Sequence, residues 1–206
     1  SGNVIMNIGD GVSARYYNPG DKVPANYQLL LTFKDESFLV FTVAMYGFIS
    51  AYPDAVIDNK YYTISRESIS PLSDAYTEAE FEKLFASAKK TLTAKALLAT
   101  EQRIPGVGNG VTQDILFNAG IHPKQKVFDL SDGQKGVLFK SLKDTLMAMT
   151  SGRGRDTQTD LYGNEGGYKT ILSSKTWKNP CPRCGSVIVK EAYLGGSVYY
   201  CSECQK

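Results

Sequence analysis

Scarcity narrows the reading of this chain before any motif does. One histidine among 206 residues, His122, leaves no legible nucleophile–histidine–carboxylate set, and its place in Gly120-Ile-His-Pro123 reads as a turn contact rather than a general base. No stretch approaches the ~20 apolar residues that a membrane span requires, and no secretory apolar segment is read at the start. No membrane partner is expected, and a cytoplasmic setting is. Net charge is only +2, which by itself argues for no class of partner. Cysteine is rare too, four residues in all, and none lies before position 181.

What charge there is lies unevenly. Residues 1–88 carry a balance of −5, residues 89–155 one of +6, and residues 156–206 one of +1. A basic middle segment suits a surface that faces a polyanion. Solvated lysines on helices are the equal alternative.

All four cysteines fall in two C-x-x-C pairs, Cys181-Pro-Arg-Cys184 and Cys201-Ser-Glu-Cys204, sixteen residues apart. Two such knuckles supply four soft thiolates for a tetrahedral zinc ion, and Gly185 suits the positive-φ turn a knuckle needs. Val187-Ile188-Val189 and Ser197 to Tyr200, separated by Leu194-Gly195-Gly196, read as a β-hairpin pinned at its open end. So short a hairpin draws its folding free energy from the metal. One structural zinc ion is expected; two disulfides or a rubredoxin-like iron site are the alternatives.

Upstream, residues 1 to about 75 look like strands. Val4 to Ile8 and Ser13 to Tyr17 flank the turn Gly9-Asp10-Gly11, and Tyr27 to Phe33 and Ser37 to Val43 flank Lys34-Asp35-Glu36. Tyr61 to Ile64 is expected as one more strand. Helices follow. Thr77 with Glu80 forms a capping box ahead of Phe81, Leu84, Phe85 and Ala88. A second helix is expected from Thr93 to about Thr100, a third from Asn109 to Asn118 with Gly120 as its stop. Ser131 with Gln134 opens a fourth, whose buried stripe is Leu138, Leu142, Leu146 and Met149. Residues 151–178, rich in glycine, read as a mobile connector.

The glycines of Gly106-Val-Gly108-Asn109 do not make a dinucleotide site, because no strand precedes them and no strand–helix–strand unit follows. They allow a tight turn between two helices and leave the amides at the next helix start uncovered, which is how a phosphate is held. Asn109 is expected to cap that helix, or else to turn its amide to the same phosphate.

Lys95-Ala-Leu-Leu98, Gly106-Val-Gly-Asn109, Asp114-Ile-Leu-Phe117 and Ala119-Gly-Ile-His-Pro123 together resemble the helix-two-turn-helix motif of the formamidopyrimidine-DNA glycosylase/endonuclease VIII family. These are base-excision repair enzymes for oxidised bases. The C-terminal C-x-x-C pairs match the same family, and the resemblance is strong over residues 77–206 and weaker over 1–75. It implies an α+β protein. Residues 1–75 would be the remainder of an antiparallel β-sandwich, 76–150 the helix-two-turn-helix DNA-binding domain, 151–178 a connector with the lesion loop, and 179–206 a zinc finger.

The resemblance further implies that Lys95 and Asn109 grip phosphates beside a damaged nucleotide of double-stranded DNA, and that the ribbon hairpin enters the minor groove. Met45 and Tyr46 lie where the family has side chains that fill the gap left by a flipped base; hairpin core is the equal alternative. Arg153, Arg155 and Tyr168 are expected contacts in the lesion loop. Gly196 stands where the family's hairpin has an arginine, leaving Lys190 and Arg183 as local cations. The family's N-terminal proline nucleophile and neighbouring glutamate are not in place at Ser1, and Asp10 replaces a wedge methionine. The expectation is therefore a monomeric DNA glycosylase/AP lyase polypeptide without the first part of its catalytic domain, binding abasic or damaged duplex but not cutting it. A non-catalytic zinc-dependent nucleic-acid-binding module is the alternative, and an unrelated zinc-ribbon accessory factor leaves the Lys95–Pro123 motif unexplained.

Overall fold

A computed structural model describes residues 4–44, 47–53 and 56–206. Met45 and Tyr46, the expected wedge, lie outside the described residues. The chain divides into two compact units, one of residues 1–59 with 158–166 and one of residues 60–157 with 167–206. It is an α+β protein with antiparallel sheets, a helical core and a C-terminal cysteine cluster set among strands.

The first unit holds five strands, β1 (Val4–Ile8), β2 (Val12–Tyr17), β3 (Leu29–Thr32), β4 (Phe38–Val43) and β5 (Ile49–Pro53). The turn between β3 and β4 forms the hairpin expected around Lys34-Asp35-Glu36. The turn at Gly9-Asp10-Gly11 does not make a hairpin: β1 pairs with β5, while β2 pairs with β4. The reason is a crossing of backbones. Gly11, at φ +84°, accepts from Ala44 N, and a Cβ on Gly47 would lie 2.8 Å from the Gly11 carbonyl carbon. Two glycines let the chain pass from one sheet to the other where no side chain fits. Phe38, Val40 and Phe41 are buried on β4, with Tyr17 stacked on Phe38 at 4.9 Å.

In the second unit, residues 60–67 are helical (α1, Lys60–Glu67), not a strand. Tyr61 to Ile64 is a run too short for its periodicity to separate the two states. The remaining helices, α2 (Glu78–Ala86), α3 (Ala94–Ala99), α4 (Asn109–Ala119) and α5 (Asp132–Ser151), follow their sequence signals. Thr77 caps α2 through Glu80 N, Thr93 caps α3 through Ala96 N, and Ser131 with Gln134 closes a full capping box on α5. Gly120 ends α4 in the left-handed conformation, as a C-terminal glycine does. Phe81, Leu97, Leu98, Ile115, Leu138 and Leu142 form the fully buried core that these faces share.

The ribbon hairpin consists of β6 (Val189–Tyr193) and β7 (Gly196–Tyr200). Its turn is two residues, shorter than the three expected. Leu194 and Gly195 both have positive φ, 52° and 73°, the twist that a tight hairpin favours. Phe117 of α4 is buried together with Leu172, Cys181, Ile188, Tyr199 and Cys201, so ribbon and helices share one apolar cluster.

Candidate nucleic-acid interface and metal centre

Four thiols converge at the base of the hairpin. The sulfurs of Cys181, Cys184, Cys201 and Cys204 all lie within 4.8 Å of one another. Cys181 and Cys204 are 3.9 Å apart, and Cys184 and Cys201 3.5 Å. Thiolates at ~2.3 Å from a tetrahedral ion stand about 3.8 Å from each other, so the donor set fits a metal of that kind. The backbone prepares each knuckle. Gly185, at φ 78°, donates to the Cys181 carbonyl, and Cys181 N donates to Ser186 O. Without an ion the four sulfurs compete: hydrogen bonds from Ser186 pull the Cys184 thiol down to about 6, its neighbour Cys184 pushes Cys204 up to about 12, and burial pushes Cys201 up. Gln205, buried beside the second knuckle, accepts from Cys201 N at 2.9 Å and donates to Ile121 O at 3.0 Å.

That glutamine is one of several ties from ribbon to helices. His122 N donates to Lys206 O, and Lys206 N to Gly120 O. Gln113, buried on α4, donates to Ser197 O at 3.0 Å and accepts from Tyr199 N at 3.1 Å. The hairpin thus gains side-chain partners along β7 that local spacing does not announce.

Asn109 is the first residue of α4, not its cap. Gly108 occupies the cap position with no side-chain bond to the helix, and Asn109 instead donates from Nδ2 to Ser197 O at 3.1 Å. The correction has a simple cause: a β-turn glycine already supplies the extended cap backbone, and the hairpin offers the asparagine a closer acceptor. The first-turn amides of α4 therefore have no side-chain cap, and Gly196 faces Asn109 without a side chain between them; a Cβ there would lie 3.3 Å from Asn109 Nδ2.

Lys95 is only 2% exposed. Its Nζ donates to Tyr193 O at 2.6 Å and lies 5.5 Å from the Tyr193 ring centroid. Burial pushes its pKa down. Lys124 approaches the same ring, 5.2 Å from its centroid, while paired with Glu191 at 2.7 Å.

Arg155 and Tyr168 are brought together on α4. Asp114, fully buried, accepts from the amides of Ile171 at 3.0 Å and Leu172 at 2.8 Å. Burial raises its pKa, opposed by those amides, by the Tyr168 hydroxyl and by the Arg155 charge. Arg155 lies against the first turn of α4, where a Cβ on Gly110 would meet its Nη1 at 2.2 Å. The segment 167–173 is accordingly fixed to the helix. Arg153 and Lys190 are exposed, Lys190 with its Nζ 5.1 Å from the Trp177 ring centroid. Among the described residues no helix is long and apolar enough to cross a membrane.

No protein-family model matches the chain. Individual proteins do. Formamidopyrimidine-DNA glycosylase of Carboxydothermus hydrogenoformans is 31% identical over 139 residues, which are 66% of this chain and 52% of that protein. The namesake from Listeria innocua is 29% identical over 203 residues, 93% of this chain and 71% of that protein. The chain spans about half the length of the curated relatives it matches first. Among solved structures, the Lactococcus lactis Fpg bound to abasic-site DNA superposes with a TM-score of 0.78 at 21% identity, over 98% of this chain and 74% of that one. The MutM (Fpg) protein of Thermus thermophilus gives 0.78 at 22% identity, over 99% and 76%. Identities so low establish the fold alone, but the named relatives, the thiol cluster and the helix pair point the same way. The chain belongs to the formamidopyrimidine-DNA glycosylase family.

Proposed function

We propose that this chain grips damaged or abasic double-stranded DNA for a base-excision repair DNA glycosylase/AP lyase that removes oxidised bases through base flipping. The observation that carries this reading is the side-by-side placement of the uncapped α4 start and the ribbon hairpin, joined through Asn109, Gln113 and Ser197. Open amides at the positive end of a helix hold a phosphate, and a hairpin beside them reaches the adjacent groove. A structural zinc ion held by Cys181, Cys184, Cys201 and Cys204 fixes the hairpin; it takes no part in bond breaking.

Lys190 and Arg153 supply exposed charge along the duplex, with Arg155 at the α4 start. Met45 and Tyr46 are assigned to the gap left by an extruded base, where an aromatic or thioether side chain recovers part of the lost stacking. Asn109 reaches a phosphate by exchanging Ser197 O for it. Lys95 does so by leaving Tyr193 O, a movement of the hairpin that comes with the duplex. The chain acts on DNA as a monomer.

The test is a gel shift of zinc-loaded protein with a tetrahydrofuran abasic duplex and an intact duplex across a salt series. Binding should favour the abasic duplex and weaken with salt, each phosphate contact contributing about 0.9 to the logarithmic slope. Equal affinity for both duplexes removes lesion preference, and no binding in dilute buffer removes the reading altogether.

A further inference from the structure

A groove lies on the helical unit between α2, the short helical turn Val127–Asp129 and the first turn of α5. It encloses about 680 Å³, within the ~300–1,000 Å³ range of sites that hold a ligand. Ala79 and Ala86 stand two turns apart on the exposed side of α2, so only methyl groups separate an incoming chain from that helix. Val127, buried, and Phe85 add apolar lining, and Phe128, 55% exposed, completes it. Phe128 is the most exposed phenylalanine among the described residues, and its backbone is fixed. Val127 N donates to Leu92 O at 2.9 Å, and Asp129 N to Lys126 O at 3.0 Å. An aromatic ring on a fixed backbone has two side-chain torsions to lose on binding, so it offers contact at low entropic cost.

Charge says what kind of chain fits. The cations at the groove already have partners: Lys83 lies 2.5 Å from Glu80, and Lys135 2.8 Å from Asp132 with its Nζ 5.6 Å from the Phe85 ring centroid. Glu82 on the lining, Glu78 beside Ala79 and Asp129 beside Phe128 have no ion-pair partner among the described residues. Three unanswered carboxylates around an apolar floor repel the phosphates of a duplex and attract lysine or arginine. Those long side chains also lay their apolar stems along such a surface.

We infer that this groove docks a basic amphipathic segment of a partner protein. The segment's apolar side chain sits against Phe85, Val127 and Phe128, and its lysines or arginines face Glu82 and Asp129. None of the residues assigned to DNA lines the groove, so partner and duplex have separate surfaces.

The probe is a capped peptide of lysine and leucine, leucines at helical spacing, titrated into zinc-loaded protein without DNA. Fluorescence anisotropy of the end-labelled peptide reads affinity, and amide NMR shifts of the protein read the place. The peptide should bind, with shifts at Ala79, Ala86 and Phe128 rather than at Asn109 and Ser197. Peptides with glutamate for lysine, or glycine for leucine, should not bind. F128A should weaken binding about tenfold. E82Q should weaken it about two- to fivefold, an effect that fades as salt rises. A86R, which fills the groove and adds a like charge, should abolish binding at an unchanged melting temperature. Should F128A lower the melting temperature, A86R alone decides. No binding, shifts outside the groove, indifference to A86R, or equal binding of the glutamate peptide overturns the inference. Self-association through Phe128 without peptide, or a duplex alone shifting the groove resonances, overturns it too, because the groove then belongs to a second copy or to nucleic acid.

Discussion

The ribbon and the first β unit are both antiparallel and both short of core, yet they are held by different means. In the first unit, β4 buries Phe38, Val40 and Phe41, whereas Val4, Met6 and Ile8 along β1 remain 61%, 40% and 42% exposed. Apolar contact there is concentrated on one strand. The ribbon has an apolar cluster too, but its edges are tied by polar bonds across long sequence separations: Gln113 to β7, Gln205 to Ile121, and Lys95 to Tyr193. A hairpin that leans on four thiols and a few buried amides stands or falls with those groups, while a sheet packed on side chains weakens gradually.

Loss of the metal is the strongest way to break this comparison. Zinc binding to isolated finger peptides is worth about 10–16 kcal/mol, far more than any single contact in a β-hairpin. Cys201→Ser or exhaustive chelation should therefore unfold residues 179–206, abolish hydrogen-exchange protection of β6 and β7, and remove duplex binding. Protection in β2 and β4 should persist. If β6 and β7 stay protected in metal-free protein, the apolar cluster around Phe117 is sufficient and the contrast collapses.

Asp114 sharpens the comparison at intermediate size. Replacing it with alanine strands two buried amides, the Tyr168 hydroxyl and the half-buried Arg155 at once. The loss should be about 3 kcal/mol, the usual cost of removing one partner from a buried charged network. The second unit should melt roughly 6–12 °C lower, the first unit at its former temperature. A shift below a degree in calorimetry would mean that water or another group takes over the two amides.

Which of these features a sequence reader can see follows from their range. The capping box at Ser131, the stop at Gly120 and the paired C-x-x-C knuckles each lie within a few residues, and the structure has them as read; at Thr77 only half of the expected box forms, because the Glu80 carboxylate pairs with Lys83. The ties made by Gln113 and Asp114, and that of Gln205 to Ile121, span 57 to 86 residues, beyond any periodicity. The Gly11–Gly47 crossing failed for the same reason: a turn signal states that the chain bends, not which strand it joins next. Lys95 carries a further lesson. Its motif marks it as a phosphate ligand, but nothing local foretells that Tyr193 on the hairpin would hold its ammonium out of water.

The smallest effect concerns pH and the seam where ribbon meets helices. His122 accepts from Lys124 N through Nδ1 at 3.1 Å, so the neutral ring carries its proton on Nε2, and its edge packs on Tyr200 with centroids 4.3 Å apart. Three influences meet on the ring. Burial lowers its pKa most, Glu191 raises it, and Lys124 lowers it, leaving the net below the ordinary 6.5. A histidine whose folded pKa is depressed binds fewer protons folded than unfolded, so its contribution is complete above about pH 6.5 and is lost as pH falls. The ring resonances of His122 in zinc-loaded protein should titrate with a midpoint under 6.5, and His122→Asn, whose carbonyl can still accept from Lys124, should flatten that part of the acid limb of stability. A midpoint at or above 6.5 would mean that the Glu191 carboxylate outweighs burial, and that the seam tightens in acid where this geometry has it loosen.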